Sequence, residues 1–560
     1  MTFQKAIEAI VGRHRQRGGE REVRMLVDGR WVAGEGTRES AVVNPATEQV
    51  LAWVRDATPG QIRQAFQAAR TAQETWHLGV GEQDKERVFR RVAASLHEIR
   101  GPLAWVMIQE GGKLWKWAEA EVQEAIDTVW HYHGETSRMY GRFARCQAPD
   151  KLSITMREPC GVILGITPWN FPLAVPSWKI FAALAGGNAI VMKASEQTPT
   201  TLSILGYVVQ QAITEELGAT QAERLAGIFQ VLHGRGETVG RAVLEEGDYD
   251  KVMFTGGTET GGLVGEIAGR RRKPVSLELG GHAAIILLDD FDLDRAVSEA
   301  VVANCGDSGQ RCVSLRAVFA QDTVVDEFRR RYVKRIQSLR IGNPGDPTTV
   351  MGPLVSAEQL ERVESGVARA VAEGGQRVHG GFALKSAPAT ARAGISAAPE
   401  AWARGYFYPP TVIEARDPTN YAMQDEIFGP VLCLSTFSGR QREEALLNAV
   451  RLMNDSRYGL SNAVLTNQLD LAMKAMERAK TGILYIGRGT TGAELGKPFG
   501  GVRDSGHGRE GAGLDEVTYL KQIYIDYHGR PRMAQAGSDD VVQRLLQESR
   551  ALGEAVFGGG

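Results

Sequence analysis

The chain has 560 residues, 43% of them hydrophobic and 24% charged, with 65 Lys and Arg against 67 Asp and Glu. At about 150 residues per domain that is three or four domains' worth of chain, and a formal charge of −2 is too balanced for a nucleic-acid groove or an anionic membrane surface. Five cysteines (Cys146, Cys160, Cys305, Cys312 and Cys433) are few, odd in number and free of any C-x-x-C pair, which excludes a disulfide framework or a zinc ribbon and points to a reducing compartment.

The first two dozen residues are charged throughout, so no secretory signal is expected. Residues 25–27 and 31–32 read as a hairpin turning at Asp28-Gly29. Helices are predicted over 59–76, 84–99 and 119–140, the second stopped by Gly101-Pro102. The pattern then changes. An exposed alternating strand at 152–157 is followed by apolar strands at 162–166, 189–192, 228–232, 252–254, 284–288 and 316–320. Helical runs at 177–185, 200–215, 260–268 and 294–304 alternate with them, which predicts βαβ units on a parallel sheet. Residues 380–405, rich in Ser, Ala, Pro and Gly, read as a surface loop or linker. A further α/β stretch covers 408–486, a terminal strand 517–527, and Val541, Val542, Leu545, Leu546 and Leu552 fall at helical spacing in a tail helix.

Residues 159–178 carry no charge and are long enough to span a bilayer. Pro159, Pro168, Pro172 and Pro176 rule out a regular spanning helix, so a buried strand and a buried irregular loop are expected. Loops of that kind commonly carry function.

Four stretches could hold chemistry. Gly256-Gly257 between an apolar strand and a helix would let backbone N–H groups approach a phosphate, although a plain strand-to-helix turn is the commoner use of such glycines. In Gly309-Gln310-Arg311-Cys312 the cysteine has a cationic neighbour and no apolar run around it, conditions that favour thiolate; the plainer reading is a small buried hydrophobe. Glu278, between two leucines, is costly to bury unless paired or used, and burial would suit it to proton abstraction; a solvent-facing strand end is the alternative. Asn170, held between Pro168 and Pro172, could donate to a developing oxyanion or simply satisfy buried backbone groups.

Together these stretches resemble the NAD(P)-dependent aldehyde dehydrogenase superfamily, from about Met25 to about Tyr527. The resemblance is carried, in the family's order, by TPWNFPL at 167–173, KASEQTP at 193–199, FTGGTETG at 254–261, LELGG at 277–281, GQRC at 309–312, EIFGPV at 426–431 and PFGG at 498–501, with SGHGRE following at 505–510. It implies an α/β fold with a Rossmann-like NAD-binding domain (25–145 and 162–280), an α/β catalytic domain (281–514) and a small β oligomerisation element (146–161 and 515–529). An N-terminal extension (1–24) and a C-terminal tail (530–560) lie outside it.

The implied reaction is oxidation of an aldehyde to the carboxylic acid, with Cys312 as nucleophile, Asn170 as oxyanion donor and Glu278 as the base that hydrolyses the thioester. The implied cofactor is NAD ahead of NADP, held by Ile166, Trp169, Lys193, Glu196, Gly236, Gly240, Gly256, Gly261, Leu279, Glu426 and Phe428. A cytoplasmic homodimer or homotetramer is expected, acting on a small-molecule aldehyde, with no nucleic acid, no membrane span and no metal.

The sequence departs from the family pattern at His282, where Lys is usual, at Ala283-Ala284, at Gly257, where Ser is common, and at Gly487, where Asn is common. The two hydroxyls of Gly489-Thr490-Thr491-Gly492 could hold the carboxylate of a semialdehyde, or the loop could be a tip with no ligand. Three other readings remain at this level: a CoA-acylating relative, a non-catalytic nucleotide-binding relative, and a cysteine-dependent acyltransferase with no redox step.

Overall fold

The computed structural model describes residues 3–14, 17–146, 151–387, 394–511, 513–527 and 539–557. It divides into two compact units, Met1–Ser137 with Cys160–Val517, and Arg138–Pro159 with Thr518–Gly560.

The first unit is built on two large sheets. Apolar runs such as Val162–Ile166 and Ala189–Lys193 have nearly every residue buried, as strands covered on both faces require. They lie inside an eight-stranded sheet ordered Gly506–His507, Val275–Glu278, Lys251–Thr255, Val162–Ile166, Ala189–Lys193, Phe229–Leu232, Met25–Val27 and Arg30–Val32. The five central strands are parallel, and their register aligns Ile166 with Lys193 and with Phe254, and Thr255 with Glu278. Several predicted site residues therefore fall on one carboxyl edge, where open α/β sheets bind ligands.

The second sheet has seven strands, ordered Gln376–His379, Thr411–Glu414, Val431–Phe437, Leu315–Gln321, Ala283–Leu287, Ser461–Leu465 and Ile483–Ile486. Its strands alternate between two cores: Ala284, Ile286 and Phe319 enter one, and Ile285, Leu287 and Val318 the other.

Helices Val325–Gln337 and Ala357–Ala372 have no counterpart in the expected elements, and others differ in their bounds. Arg100–Gly111 is a helix where the sequence predicted only a stop. Gly101 and Pro102 occupy its first turn, where a missing N–H breaks no intrahelical bond. The next helix is Trp115–Thr136, four residues earlier at both ends than predicted. Proline also proves compatible with a helix start at Pro176, in the first turn of Ala174–Ala185. Within 380–405, Leu384 and Ala401 are buried in a main core, so the described part of that stretch is anchored rather than a free linker; residues 388–393 lie outside the described residues.

The N-terminal segment is folded. Helix Phe3–Ile10 buries Ala6 and Ile10 completely, and Val11–Arg13 and Arg21–Val23 join Val50–Arg55 and Glu39–Val43 in a four-stranded sheet.

In the second unit, Arg142–Arg145, Lys151–Pro159 and Thr518–Asp526 form an antiparallel sheet, and Asp539–Phe557 is the expected tail helix. Residues 147–150 of the predicted hairpin, and 530–538 and 558–560 of the tail, lie outside the described residues. Among the described residues no helix is long and apolar enough to cross a membrane.

Because Ile10 is wholly enclosed, Ile10→Ala is expected to destabilise the protein by about 2–5 kcal/mol in denaturant unfolding. A change under about 0.5 kcal/mol would mean that the segment adds nothing to the core.

Candidate active site

Cys312 follows a strained turn. Helix Leu293–Cys305 runs into Gly306–Gly309, where Asp307 (φ 50°), Ser308 (φ 54°) and Gly309 (φ 72°) are successively left-handed. Gly309 admits no side chain, since a Cβ would lie 2.1 Å from the Gly429 oxygen. The two non-glycine residues cost on the order of 1–3 kcal/mol each and need outside support. Ser308 Oγ donates to the Gly352 oxygen at 2.8 Å, while the Asp307 carboxylate meets Lys113 at 3.0 Å and Arg311 at 3.2 Å. Arg316, buried beneath the turn, donates to the carbonyl oxygens of Gly309 (2.8 Å), Gly429 (2.9 Å) and Arg311 (3.0 Å).

The expectation that Arg311 favours a thiolate at Cys312 is overturned. The Arg311 guanidinium turns to Asp307 and stacks over Trp117, 4.2 Å from the ring centroid. Burial, reinforced by the Glu426 and Glu278 carboxylates and opposed by Arg316, pushes the Cys312 thiol up to about 12. Burial brings Cys305 and Cys433 to about 12 as well, so acidity does not single out Cys312. Exposure separates Cys312 from these two, which are enclosed, but Cys146 and Cys160 are half-buried as well, so the left-handed turn is what is particular to Cys312.

Asn170 reaches the same loop, its Nδ2 donating to the Gln310 carbonyl at 2.9 Å. Glu278 ends its strand buried, with neither carboxylate oxygen hydrogen-bonded. Burial, then the nearby Glu510 carboxylate, raises its pKa well above the usual range, while Lys179 and Arg509 act in the other direction. A Cβ at Gly500 would lie 2.5 Å from the Gly508 carbonyl oxygen and 2.7 Å from Glu278 Oε1, which together explain why the PFGG stretch has glycine there. Behind Glu278, buried Lys179 pairs with Glu510 at 2.5 Å and donates to Thr255 Oγ1 at 2.7 Å. Sequence reasoning assigned Lys179 and Arg316 no role. The available signal was their position, a lysine closing the charge-free run and an arginine opening an apolar strand.

Most of the predicted cofactor residues follow the carboxyl ends of the parallel strands, while Glu426 and Phe428 precede strand Val431–Phe437 of the other sheet. Ile166 and Lys193 end adjacent strands, and Lys193 pairs with Glu196 at 3.0 Å. Trp169 meets Phe428 edge-on at 5.6 Å, and Glu426 meets Arg316 at 3.4 Å. Gly236 and Gly240 bound a one-turn helix, Gly236 exposed and Gly240 buried. Gly256 follows its strand directly, and Gly257 caps helix Thr258–Arg270 without a side-chain bond. Gly261 lies inside that helix rather than in the turn. A Cβ there would come within 2.2 Å of Leu279, so its place in the structure is helix–strand packing.

Two further expectations change. Thr490 is fully buried and its hydroxyl donates to the Val313 oxygen at 2.8 Å, so it has no proton left for a substrate carboxylate. His282 is buried with Nε2 3.0 Å from the Ala422 oxygen, and burial lowers its pKa to about 4, so it contributes no charge where the family pattern has a lysine.

A thiol near 12 carries little thiolate at neutral pH, and that fraction rises about tenfold per pH unit. Alkylation of Cys312 by iodoacetamide is therefore expected to accelerate from pH 7 to pH 10 without levelling, and Glu278→Gln should raise the rate at fixed pH by removing a repelling carboxylate. A plateau near the ordinary thiol value would contradict this electrostatic picture.

Residues 31–523 match the aldehyde dehydrogenase family model. Lactaldehyde dehydrogenase of Escherichia coli (strain K12) is 33% identical over 504 residues, covering 90% of this chain and 98% of that protein. A crystal structure of betaine aldehyde dehydrogenase from Staphylococcus aureus in complex with NAD+ matches with a TM-score of 0.83 at 29% identity, over 92% of this chain and 99% of that one. An NADP-dependent enzyme of E. coli matches with a TM-score of 0.81 at 29% identity, over 90% and 98%. With this match running through both large sheets, the chain belongs to the aldehyde dehydrogenase family and is an oxidoreductase.

Proposed function

We propose that the protein oxidises an aldehyde to its carboxylic acid through a thioester on Cys312, with NAD as the oxidant. The observation that carries this reading is Glu278, a buried carboxyl with no hydrogen-bond partner whose charge is felt at Cys312. A buried, unpaired carboxylate is expensive to keep and is suited to accepting a proton.

In this reading the eight-stranded sheet carries the cofactor and the seven-stranded sheet the nucleophile. The edge fits a dinucleotide: Lys193 and Glu196 stand where ribose hydroxyls would be held, and the open first turn after Gly257 offers N–H groups to a phosphate. Glu196 accepts from a ribose and repels a 2′-phosphate, which supports NAD over NADP. When bound, the nicotinamide supplies the hydride acceptor.

The chain's own residues account for the rest. Deprotonated Sγ of Cys312 adds to the carbonyl carbon, and the carbonyl pair moves onto oxygen. Asn170 Nδ2, released from Gln310, donates to that oxyanion together with the Cys312 N–H. After oxidation the acyl group remains on sulfur as a thioester. Glu278 takes a proton from water, the oxygen adds to the acyl carbon, and the C–S bond breaks to return the thiolate. A free Glu278 favours hydrolysis over transfer to CoA, and the presence of both nucleophile and base speaks against a non-catalytic relative.

Mixing the protein with aldehyde and NAD should generate NADH absorbance, with NADP a poorer partner. Cys312→Ala should abolish turnover, Asn170→Ala should lower kcat by about 10²–10³-fold, and Glu278→Gln should leave one burst of NADH without steady turnover. No NADH from any aldehyde would refute the reading, and a CoA requirement would reinstate the acylating form.

The substrate class we infer is a carboxylated aldehyde. With Thr490 engaged elsewhere, the support is a cavity of about 320 Å³ lined by Arg488 and Lys497, with Tyr485, Phe499 and Glu494 also on its walls. Across a panel of aliphatic, aromatic and carboxylated aldehydes, Arg488→Ala should raise KM about tenfold for carboxylated members only. An equal effect on neutral aldehydes would remove the carboxylate from the proposal.

Self-association is part of the same reading. The second unit's sheet exposes apolar side chains on both faces, Phe143 and Tyr519 on one and Leu520 and Tyr524 on the other, and its outer strands are unpaired among the described residues, which suits a homodimer or homotetramer.

A further inference from the structure

Helix Arg100–Gly111 ends at left-handed Gly112, and the next residue, Lys113, is buried at 5% exposure. Its Nζ lies 2.9 Å from Glu121, 3.0 Å from Asp307 and 3.9 Å from the centroid of the Phe171 ring. These partners belong to three separate segments. Glu121 lies on helix Trp115–Thr136, and its other oxygen accepts the N–H groups of Leu173 (2.8 Å) and Ala174 (3.1 Å), the end of the loop that carries Asn170. Asp307 is the first left-handed residue of the turn that carries Cys312 and also holds Arg311. Phe171 directly follows Asn170. Burial opposes the ammonium charge, but Asp307 and Glu121 outweigh it and raise the Lys113 pKa. The same pairing, with Arg311, keeps Asp307 below the ordinary carboxylate range.

Buried ion clusters of this sort add little stability over apolar residues of the same volume, because desolvation offsets the attraction. Their distinctive effect is geometric. Arg316 holds the Cys312 loop from beneath through the Gly309 and Arg311 carbonyls and, among the described residues, donates to no group of the Asn170 loop. The lateral relation between the two loops rests on the Asn170–Gln310 hydrogen bond, on Lys113 and, at longer range, on the Arg311 guanidinium 5.7 Å from the Phe171 ring centroid. That hydrogen bond must open for Asn170 to receive an oxyanion, and Lys113 is then the closest tie that remains.

We propose that Lys113 is a positioning residue: by pairing with Glu121 and Asp307 at once, it keeps the Asn170 donor at its working distance from the Cys312 sulfur. The proposal rests on the reading of Cys312 and Asn170 given above.

The test uses the full-length protein and the variants Lys113→Met, Asp307→Asn and their combination. It has two readouts, aldehyde oxidation and amide hydrogen exchange of the peptides covering 167–174 and 306–314. Lys113→Met should speed exchange in both peptides at least tenfold, and lower kcat at least tenfold with KM for NAD within twofold. The double variant should fall no lower than the worse single one, since both remove the same tie. If Lys113→Met does not fold, the pair Lys113→Met and Glu121→Gln, with Asp307 left to Arg311, leaves no unpaired charge in the cluster and serves in its place, with the same expectations.

Unchanged exchange overturns the proposal whatever the activity. Faster exchange with kcat within twofold of the parent overturns the catalytic part, as does a double variant whose loss is the product of the single losses. A parent protein that oxidises no aldehyde defeats the functional reading instead, and is recognised because the failure precedes any substitution.

Discussion

A guanidinium with almost no access to water sits beneath the Cys312 turn, and the arrangement of the site depends on how Arg316 places its donors. Three of its bonds go to main-chain oxygens on two segments far apart in sequence, Gly309 and Arg311 on one side and Gly429 on the other. A fourth contact reaches Glu426, and the Arg316 carbon lies 5.3 Å from the Phe428 ring. One rigid, planar cation therefore positions the loop that presents Cys312 and the segment that presents Glu426 and Phe428. A lysine could not do this, having a single nitrogen to aim. Because burial weighs against the charged form, the carbonyls and Glu426 are as necessary to Arg316 as Arg316 is to them.

The same scarcity of water sets the protonation state of the site. Cys312, Glu278 and Glu426 are each shifted upward first by burial, and Cys312 further by the two carboxylates. Glu426 rises to about 7 despite Arg316. Groups that repel one another's charge in this way titrate as a set, so a proton leaving the thiol is favoured when a cation arrives or a carboxylate is already neutral. Glu278 with no hydrogen bond is the member most able to take a proton up. Lys179 and Glu510, paired behind it, adjust that capacity electrostatically without occupying its oxygens.

Much of the fold was legible because burial on both faces leaves its mark on composition. The strands Val162–Ile166, Ala189–Lys193 and Leu315–Gln321 are apolar along nearly their whole length. The helix Arg100–Gly111 was not legible, since Gly-Pro is read as a stop and only the chain's path shows it to be a start. At the site, residue types pointed to Cys312, Glu278 and Asn170, but directions did not follow from types. Arg311 adjoins Cys312 in sequence, yet the left-handed Asp307 and Ser308 carry the chain so that its guanidinium faces Asp307 and Trp117. Thr490 follows the same rule: of the two readings its loop allowed, the inward turn of its hydroxyl to Val313 removes it from the carboxylate one. Lys113 escaped notice altogether: a lysine after two glycines at a helix end reads as solvated surface, and its partner Asp307 is 194 residues away.

The glycines of the recognisable motifs divide by physical cause, and the division bears on how such motifs should be read. Gly309 is demanded by backbone conformation, Gly261 by the approach of a helix to Leu279, and Gly500 by the Gly508 carbonyl and Glu278 together. Only the first kind is a turn requirement. The other two depend on groups elsewhere in the chain, so a motif glycine near a site can be a mould for its neighbours rather than a contact for a ligand. At Gly500 one of those neighbours is the unbonded carboxyl itself. A methyl group there would press on Glu278 Oε1 as well as on the Gly508 oxygen, which couples the position of that carboxyl to a residue 222 places along the chain.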